Sequence, residues 1–287
     1  MFRISCTFLF FILSTNLTLA QSTSLAEFTV HAGAYDRLNT PIIVYADELQ
    51  LAINSADSLR LVEHQEDSTL MPVQWIAGER PGLSWVLSGE TPAGSTRRFS
   101  LRRTSESVSE TPTVRAQDQG GSVALSLDQT EVLHYQYTPA DVPPGVDTIY
   151  RRGGFIHPLR SPAGAVLTRI QPPDHYHHYG IWNPWTHTEY EGREIDFWNL
   201  AKGQGTVESR GTTSVTSGPV SGGLRAWHEH ITTDSADRST ARKLLNEVWN
   251  LRLWNSDPEQ KSYLLDFVSV QSNATDQPLI LKEYRYQ

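Results

Sequence analysis

Short runs of β-branched, aromatic and aliphatic residues, cut at close intervals by turn formers, constrain this chain more than any other feature. The runs at 28–30, 42–45, 58–63, 72–76, 83–87 and 98–101 are separated by Asn39-Thr40-Pro41, Gly78, Arg80-Pro81-Gly82 and Pro92-Ala93-Gly94, among others. Runs this short suit strands rather than helices, and their spacing predicts a small β-sandwich over 21–104. From 105 to 119 the chain turns polar and reads as a linker, and Gly120-Gly121 then opens a second β-rich domain over 120–287. Strands are expected there at 123–127, 132–137, 148–151, 224–232, 244–254 and 263–271, with one short helix at 236–242. In 244–254, Glu247, Trp249, Leu251 and Leu253 fall on one face and Val248, Asn250, Arg252 and Trp254 on the other, because successive strand side chains point to opposite sides. Bulk on both faces predicts a sheet packed on a second sheet, with a broad face available as a ligand cleft. The expected fold class is all-β, a small N-terminal sandwich followed by a larger one. The run 279–286 reads as a strand that stops with the chain, either an edge or the cut end of a longer sheet, so the second domain is expected to be C-terminally incomplete.

Residues 1–20 read as a secretory signal peptide. Arg3 gives a positive start, 8–13 an apolar core, and Thr18-Leu19-Ala20 a small-residue cleavage site before Gln21. The apolar run is shorter than the roughly 20 residues a bilayer needs, so the expected location is secreted or periplasmic with no membrane span. The single cysteine, Cys6, lies inside that leader, which leaves the processed chain without a disulfide, a thiol nucleophile or a cysteine metal site. A net charge of -8 argues against nucleic acid as a partner, since phosphate binding rests on a basic stripe. No Gly-x-Ser-x-Gly elbow is present, and Gly203-Gln204-Gly205 lacks the rest of a phosphate loop.

The chemistry-bearing residues gather in the second domain. Of ten histidines, seven (His157, His175, His177, His178, His187, His228 and His230) lie between positions 157 and 230. The densest stretch, from Pro172 to Trp185, starts with two prolines and carries Gly180 near its centre, so it reads as a loop entering a strand. Imidazoles on such a loop suit acid/base work near neutral pH or hydrogen bonding to a polar ligand. His175/His177 and His228/His230 share an i, i+2 spacing, and the two pairs could meet at one ion. The expected cofactor set is nonetheless empty, with a His-bound metal as the competing expectation. Glu194, Asp196, Glu247 and Glu283 sit beside aromatic or aliphatic residues, where burial raises a carboxyl pKa toward the proton-transfer range; a structural pairing with Arg151, Arg152 or Arg285 is the alternative. Trp182, Trp185, Trp198, Trp227, Trp249 and Trp254 lie in the same half, and flat aromatic faces can pack on a sugar's C–H face. Carbohydrate is the suspected partner, with core packing as the alternative reading of these tryptophans.

The segments Tyr150-Arg151-Arg152-Gly153-Gly154-Phe155-Ile156-His157-Pro158-Leu159-Arg160-Ser161-Pro162-Ala163-Gly164 and Pro172-Pro173-Asp174-His175-Tyr176-His177-His178-Tyr179-Gly180-Ile181-Trp182 resemble a family of secreted bacterial proteins of unknown function that carries the label methane oxygenase PmoA. The resemblance runs through Glu247 and Lys282-Glu283-Tyr284-Arg285-Tyr286 and covers most of 120–287. Two positions depart from the pattern: Tyr179 stands where the family usually has Arg, and relatives usually continue through a Gly-rich strand beyond residue 287. The label evokes a multi-helix membrane oxygenase, whereas this sequence is β-rich. What the resemblance implies instead is a β-sandwich of the galactose-mutarotase type, common among carbohydrate-active proteins. In such sites a histidine donates a proton and a late-strand glutamate accepts one. By that likeness the expected catalytic residues are His177 or His178 with Glu247 or Glu283, and Asp174, His175, Trp182, Trp185, His228 and His230 are the expected substrate-binding residues. The expected function is a secreted carbohydrate-active protein, leaning toward an enzyme. The alternatives are a non-catalytic glycan-binding module and a metal-dependent oxidase.

Overall fold

The computed structural model describes residues 23–49, 53, 58–64, 68–77, 80–104, 112–233 and 241–283. The signal peptide with Cys6, most of the 236–242 helix and the end of the last strand lie outside these residues. Among the described residues the protein is all-β, built from antiparallel sheets. The first half holds β1 (Thr23–His31), β2 (Arg37–Tyr45), α1 (Ala46–Leu49), β3 (Leu59–His64), β4 (Ser68–Met71), β5 (Gln74–Ile76), β6 (Gly82–Thr91) and β7 (Thr96–Arg103). A four-stranded sheet, β1-β7-β3-β4, faces a three-stranded one, β2-β6-β5. Leu61, Phe99 and Leu101 from one meet Leu83, Trp85 and Leu87 from the other in one buried core, as two sheets with period-2 apolar faces require.

The second half holds β8 (Val114–Asp118), β9 (Ser122–Leu127), β10 (Thr130–Gln136), β11 (Phe155–Leu159), β12 (Thr188–Tyr190), β13 (Arg193–Ile195), β14 (Gly205–Thr216), β15 (Ser221–Thr232), β16 (Lys243–Trp254), β17 (Leu264–Asn273) and β18 (Leu279–Leu281). The sheet β11-β10-β9-β8 packs on the sheet β14-β15-β16-β17, and β13-β12-β18 forms a smaller third sheet. Val123, Leu125, Leu133 and Tyr135 pack against Leu224, Ala226, Trp249, Leu251 and Leu253 in the core between the large sheets. In β16 the face carrying Glu247, Trp249, Leu251 and Leu253 is buried, while Asn250 is exposed and Val248 and Arg252 are half-buried. Trp254 departs from its face: it is buried and its Nε1 donates to Asp266 at 2.8 Å.

The expected strand at 148–151 is a correction. Thr148–Tyr150 is a 3₁₀ turn, capped by Asp147, whose Oδ1 accepts from the backbone N of Ile149 at 2.9 Å. The β-type residues Ile149 and Tyr150 mislead there, because a capping aspartate offers the backbone a partner that a strand does not. The loop expected to enter a strand before Trp185 instead runs on to β12, and the strand expected over 279–286 is three residues long where described.

Candidate functional site

Register alone lays a polar row across the inner face of the β14–β17 sheet. Ser209 is opposite His228, His228 opposite Glu247, and Glu247 opposite Gln271; directly opposed residues share a face. His230, two residues further along β15, and Ser269, two residues back on β17, lie on that face as well. His228, His230 and Glu247 are 0%, 0% and 1% exposed, so their polar atoms have to be satisfied inside the protein.

Glu247 is the centre of the row. Its Oε2 accepts from His230 Nε2 at 2.8 Å. Its Oε1 accepts from Ser269 Oγ at 2.5 Å, Asn183 Nδ2 at 3.0 Å and Gln271 Nε2 at 3.1 Å. Burial pushes the carboxyl pKa up, but the hydrogen bond and charge of His230 and the Ser269 hydroxyl outweigh it, leaving the group down at about 2. Burial beside aromatic residues thus fails to make Glu247 the raised-pKa acid that the sequence suggests, since donors to the charged form dominate. The row extends to the surface through Gln271, whose Oε1 accepts from Trp185 Nε1 at 2.7 Å.

At the other end Tyr135 OH, reaching across from β10, lies 2.7 Å from His228 Nε2 and 3.1 Å from Ser209 Oγ. Burial lowers the His228 pKa to about 4 and raises that of Tyr135, so both are neutral at pH 7. The Nδ1 atoms of His228 and His230 are buried without a partner. Ser209 and Arg152 form part of the wall of a 750 Å³ cleft whose lining also includes Asp147, Thr148, Arg151, Thr206, Glu208, Arg210 and Thr233.

Two loops close over the row. The segment 151–154 is pinned where Ala140 N donates to Arg152 O at 3.0 Å and Gly154 N to Gln136 O at 2.7 Å. Gly154 has φ +78, and a Cβ there would lie 2.8 Å from His228 Cδ2; glycine is what admits the loop against the histidine. Arg152 is 3% exposed, its guanidinium carbon 4.2 Å from the centre of the Trp182 ring. Burial draws its pKa down to about 9, which leaves it cationic at neutral pH. The second loop, which contains the histidine-rich motif, is tied down by paired backbone bonds between Ile156 and Ile181 and by Gly180 N to Arg169 O. Tyr179 is fully buried there. Its OH donates to Tyr150 O at 2.5 Å and accepts from Gln171 Nε2 at 2.6 Å.

The expected site residues therefore divide. His230, Glu247 and His228 share one face, and Trp185 joins them through Gln271. His175, His177 and His178 form a separate ring cluster: His175 and His178 stack at 4.8 Å between centroids, and His177 meets His178 edge-on at 4.5 Å. Asp174 lies 3.1 Å from His175 Nδ1. Burial, then the neighbouring imidazoles, lower the pKa of His177 and His178. Aromatic contacts connect that cluster to Trp182, the ring on which Arg152 lies: His178 on Trp198 at 6.0 Å and Trp198 on Trp182 at 4.4 Å. Glu283 follows β18, its carbonyl accepting from His187 Nδ1 at 2.9 Å, on the small sheet rather than in the row. Among the described residues no three His, Cys, Asp or Glu side chains converge as metal ligands, so the two histidine pairs do not meet at one ion. Asp196 is buried and spoken for by Trp198 N, Asn199 N and Lys202 Nζ, each at 2.9 Å; Lys202 also reaches the exposed Glu194 at 3.7 Å. Their partner is thus Lys202 rather than an arginine. Sequence reasoning missed Tyr135, Asn183, Ser209, Ser269, Gln271 and the place of Arg152. Only Ser269 and Gln271 had a readable signal, the period-2 face they share on β17.

The fold and this site define an all-β protein of paired sandwiches, with a buried polar row under the inner face of the second and a polar cleft at one end of it. The chain belongs to a family of unknown function, DUF6807, whose model matches residues 122–287, more than half of its length. No curated protein matches it, and no solved structure does. Among the described residues no helix is long and apolar enough to cross a membrane.

Proposed function

We propose that the protein is a secreted or periplasmic carbohydrate-active protein that takes a saccharide into the cleft beside Arg152 and Ser209. The observation that carries this reading is the end of the polar row: Ser209 both lines the 750 Å³ cleft and contacts the Tyr135–His228 pair. Pockets of a few hundred Å³ lined by hydroxyl, carboxylate and guanidinium groups suit a polyhydroxylated ligand, which offers donors and acceptors to each. The leader-like sequence of residues 1–20 supports export, and the likeness of the motif to the PmoA-labelled family and to mutarotase-type sandwiches supports the carbohydrate class by analogy. The oxidase reading has no converging ligand set among the described residues to support it.

In an enzyme of this kind Glu247 serves as a standing negative charge that orients His230, because a carboxyl held at about 2 has no proton to give at neutral pH. His177 and His178, both lowered below the ordinary imidazole value, are the proton-transfer candidates by the family likeness; neither lines the cleft beside Ser209, so they serve only a saccharide that extends beyond it. The test is thermal-shift and calorimetric screening of the protein against neutral and acidic mono- and oligosaccharides. A hit that weakens at least about tenfold in Ser209→Val, the loss of roughly one good hydrogen bond, supports the reading; a complete panel without a hit sinks it. Product formed from the hit, and lost in a folded His178→Ala variant, marks an enzyme. Saturable binding without product marks a glycan-binding module.

A further inference from the structure

We propose that the saccharide bound in the cleft carries a carboxylate, and that Arg152 is the residue that pairs with it. This rests on the saccharide reading above and names its class, an acidic sugar of the uronate type. Three arginines line the cleft. Arg151 pairs with Asp141 at 2.9 Å, and Arg210 with Glu208 at 2.9 Å and Glu229 at 2.6 Å. Arg152 differs: it is the buried one, and among the described residues it makes no ion pair and its Nε and Nη1 have no hydrogen-bond partner. Glu247 attracts it electrostatically, but that carboxylate is already filled by four donors, none of them Arg152. Nor can the arginine readily swing into solvent. Its backbone oxygen is held by Ala140, the next two residues are glycines packed against Tyr137 and His228, and its guanidinium lies on Trp182.

A buried guanidinium whose N–H donors have no acceptor is a costly arrangement, and an anion arriving from outside relieves it. A guanidinium is the group best shaped for a planar carboxylate, through paired N–H donors. Arg151 and Arg210 are already matched by carboxylates of their own, so of the three arginines in the cleft wall Arg152 is the one left to receive a carboxylate.

The experiment measures binding of galacturonate, glucuronate and mannuronate oligosaccharides, each beside its neutral methyl ester, to the wild-type protein and to Arg152→Gln. The expected result is that at least one acid binds about tenfold or more tighter than its ester, the fold-change of one charge-assisted hydrogen bond. That preference, read as the ratio of acid to ester affinity, disappears in Arg152→Gln. Equal affinity for acid and ester, or a preference that survives Arg152→Gln, overturns the inference and leaves the saccharide reading standing. Failure of every acid and every ester to bind overturns both. Should Arg152→Gln not fold, Arg152→Lys decides: an acid preference that is lost with the ammonium, which lacks the paired N–H fork, supports the pairing, and an undiminished preference overturns it.

Discussion

His230 Nε2 stands 2.8 Å from Glu247 Oε2, with the two side chains 0% and 1% exposed, so Glu247 is the buried acceptor that satisfies His230 Nε2. Removing that carboxylate leaves several buried donors without a partner, at about 1–3 kcal/mol each and on the order of 3–5 kcal/mol together. Glu247→Ala is expected to lose that much in urea unfolding, since it also strands Ser269, Asn183 and Gln271. Glu247→Gln keeps the shape and one carbonyl acceptor and is expected to lose about 1–3 kcal/mol. Equal losses for the two variants would show that packing, and not charge, holds the pair.

The protonation states fix how stability follows pH. His228 has a folded pKa of about 4 against 6.5 unfolded, so between those values the unfolded chain binds a proton that the folded protein refuses. Its contribution is complete above pH 6.5 and is lost as pH falls toward 4. Glu247, about 2 folded against 4.5 unfolded, adds a second loss as pH falls from 4.5 toward 2. Each limb is on the order of 3 kcal/mol. Urea midpoints taken from pH 8 down to pH 3 are expected to decline in two stages, and His228→Gln is expected to flatten the first. A midpoint unchanged between pH 6.5 and 4.5 rules out a buried neutral His228.

The fold was legible where apolar periodicity decides it. The alternation of Glu247, Trp249, Leu251 and Leu253 gave the buried face of β16, and with it Glu247 as an inward carboxylate. What that pattern could not give was the protonation behaviour of Glu247. That depends on donors from His230, Ser269, Gln271 and Asn183, which three other segments bring in. The histidine motif was conspicuous as sequence yet forms a cluster of its own, because composition marks density and not direction. Arg152 was visible only as a possible salt-bridge partner. Its lack of an acceptor is a fact of tertiary packing against Trp182 and the pinned 151–154 loop.

Contact between the two halves of the chain supplies another prediction. The Gln74 side chain from β5 donates to Ser221 O at 2.9 Å and accepts from Val220 N at 3.1 Å and Ser221 N at 3.0 Å, at the start of β15. Val220 and Ser221 are buried, so these backbone groups have little water to turn to. Gln74→Ala is expected to cost about 1–3 kcal/mol. Gly218→Ala is expected to weaken the same contact from the other side, because a Cβ there would lie 2.2 Å from Gln74 Oε1. A Gln74→Ala protein with unchanged thermal and urea unfolding would mean that the clamp contributes nothing.

Two glycines separate backbone strain from the integrity of the site. Gly154 and Gly164 both have left-handed backbones, φ +78 and +82, but a Cβ at Gly164 meets nothing within 4 Å, whereas one at Gly154 lies 2.8 Å from His228 Cδ2 and 3.0 Å from its Nε2. Gly164→Ala therefore reports the conformational cost alone, about 1–2 kcal/mol for an L-residue in that region. Gly154→Ala carries the same cost and in addition pushes on a fully buried ring whose Nε2 is 2.7 Å from Tyr135 OH. The ring can move only by giving up that contact, in a core where small shifts are not absorbed freely. Gly154→Ala is thus expected to lose at least about 1 kcal/mol more than Gly164→Ala and to change the His228 ring resonances in NMR spectra, which Gly164→Ala leaves in place. Equal stabilities with unchanged His228 resonances in both variants would mean that the 151–154 loop does not press on the polar row.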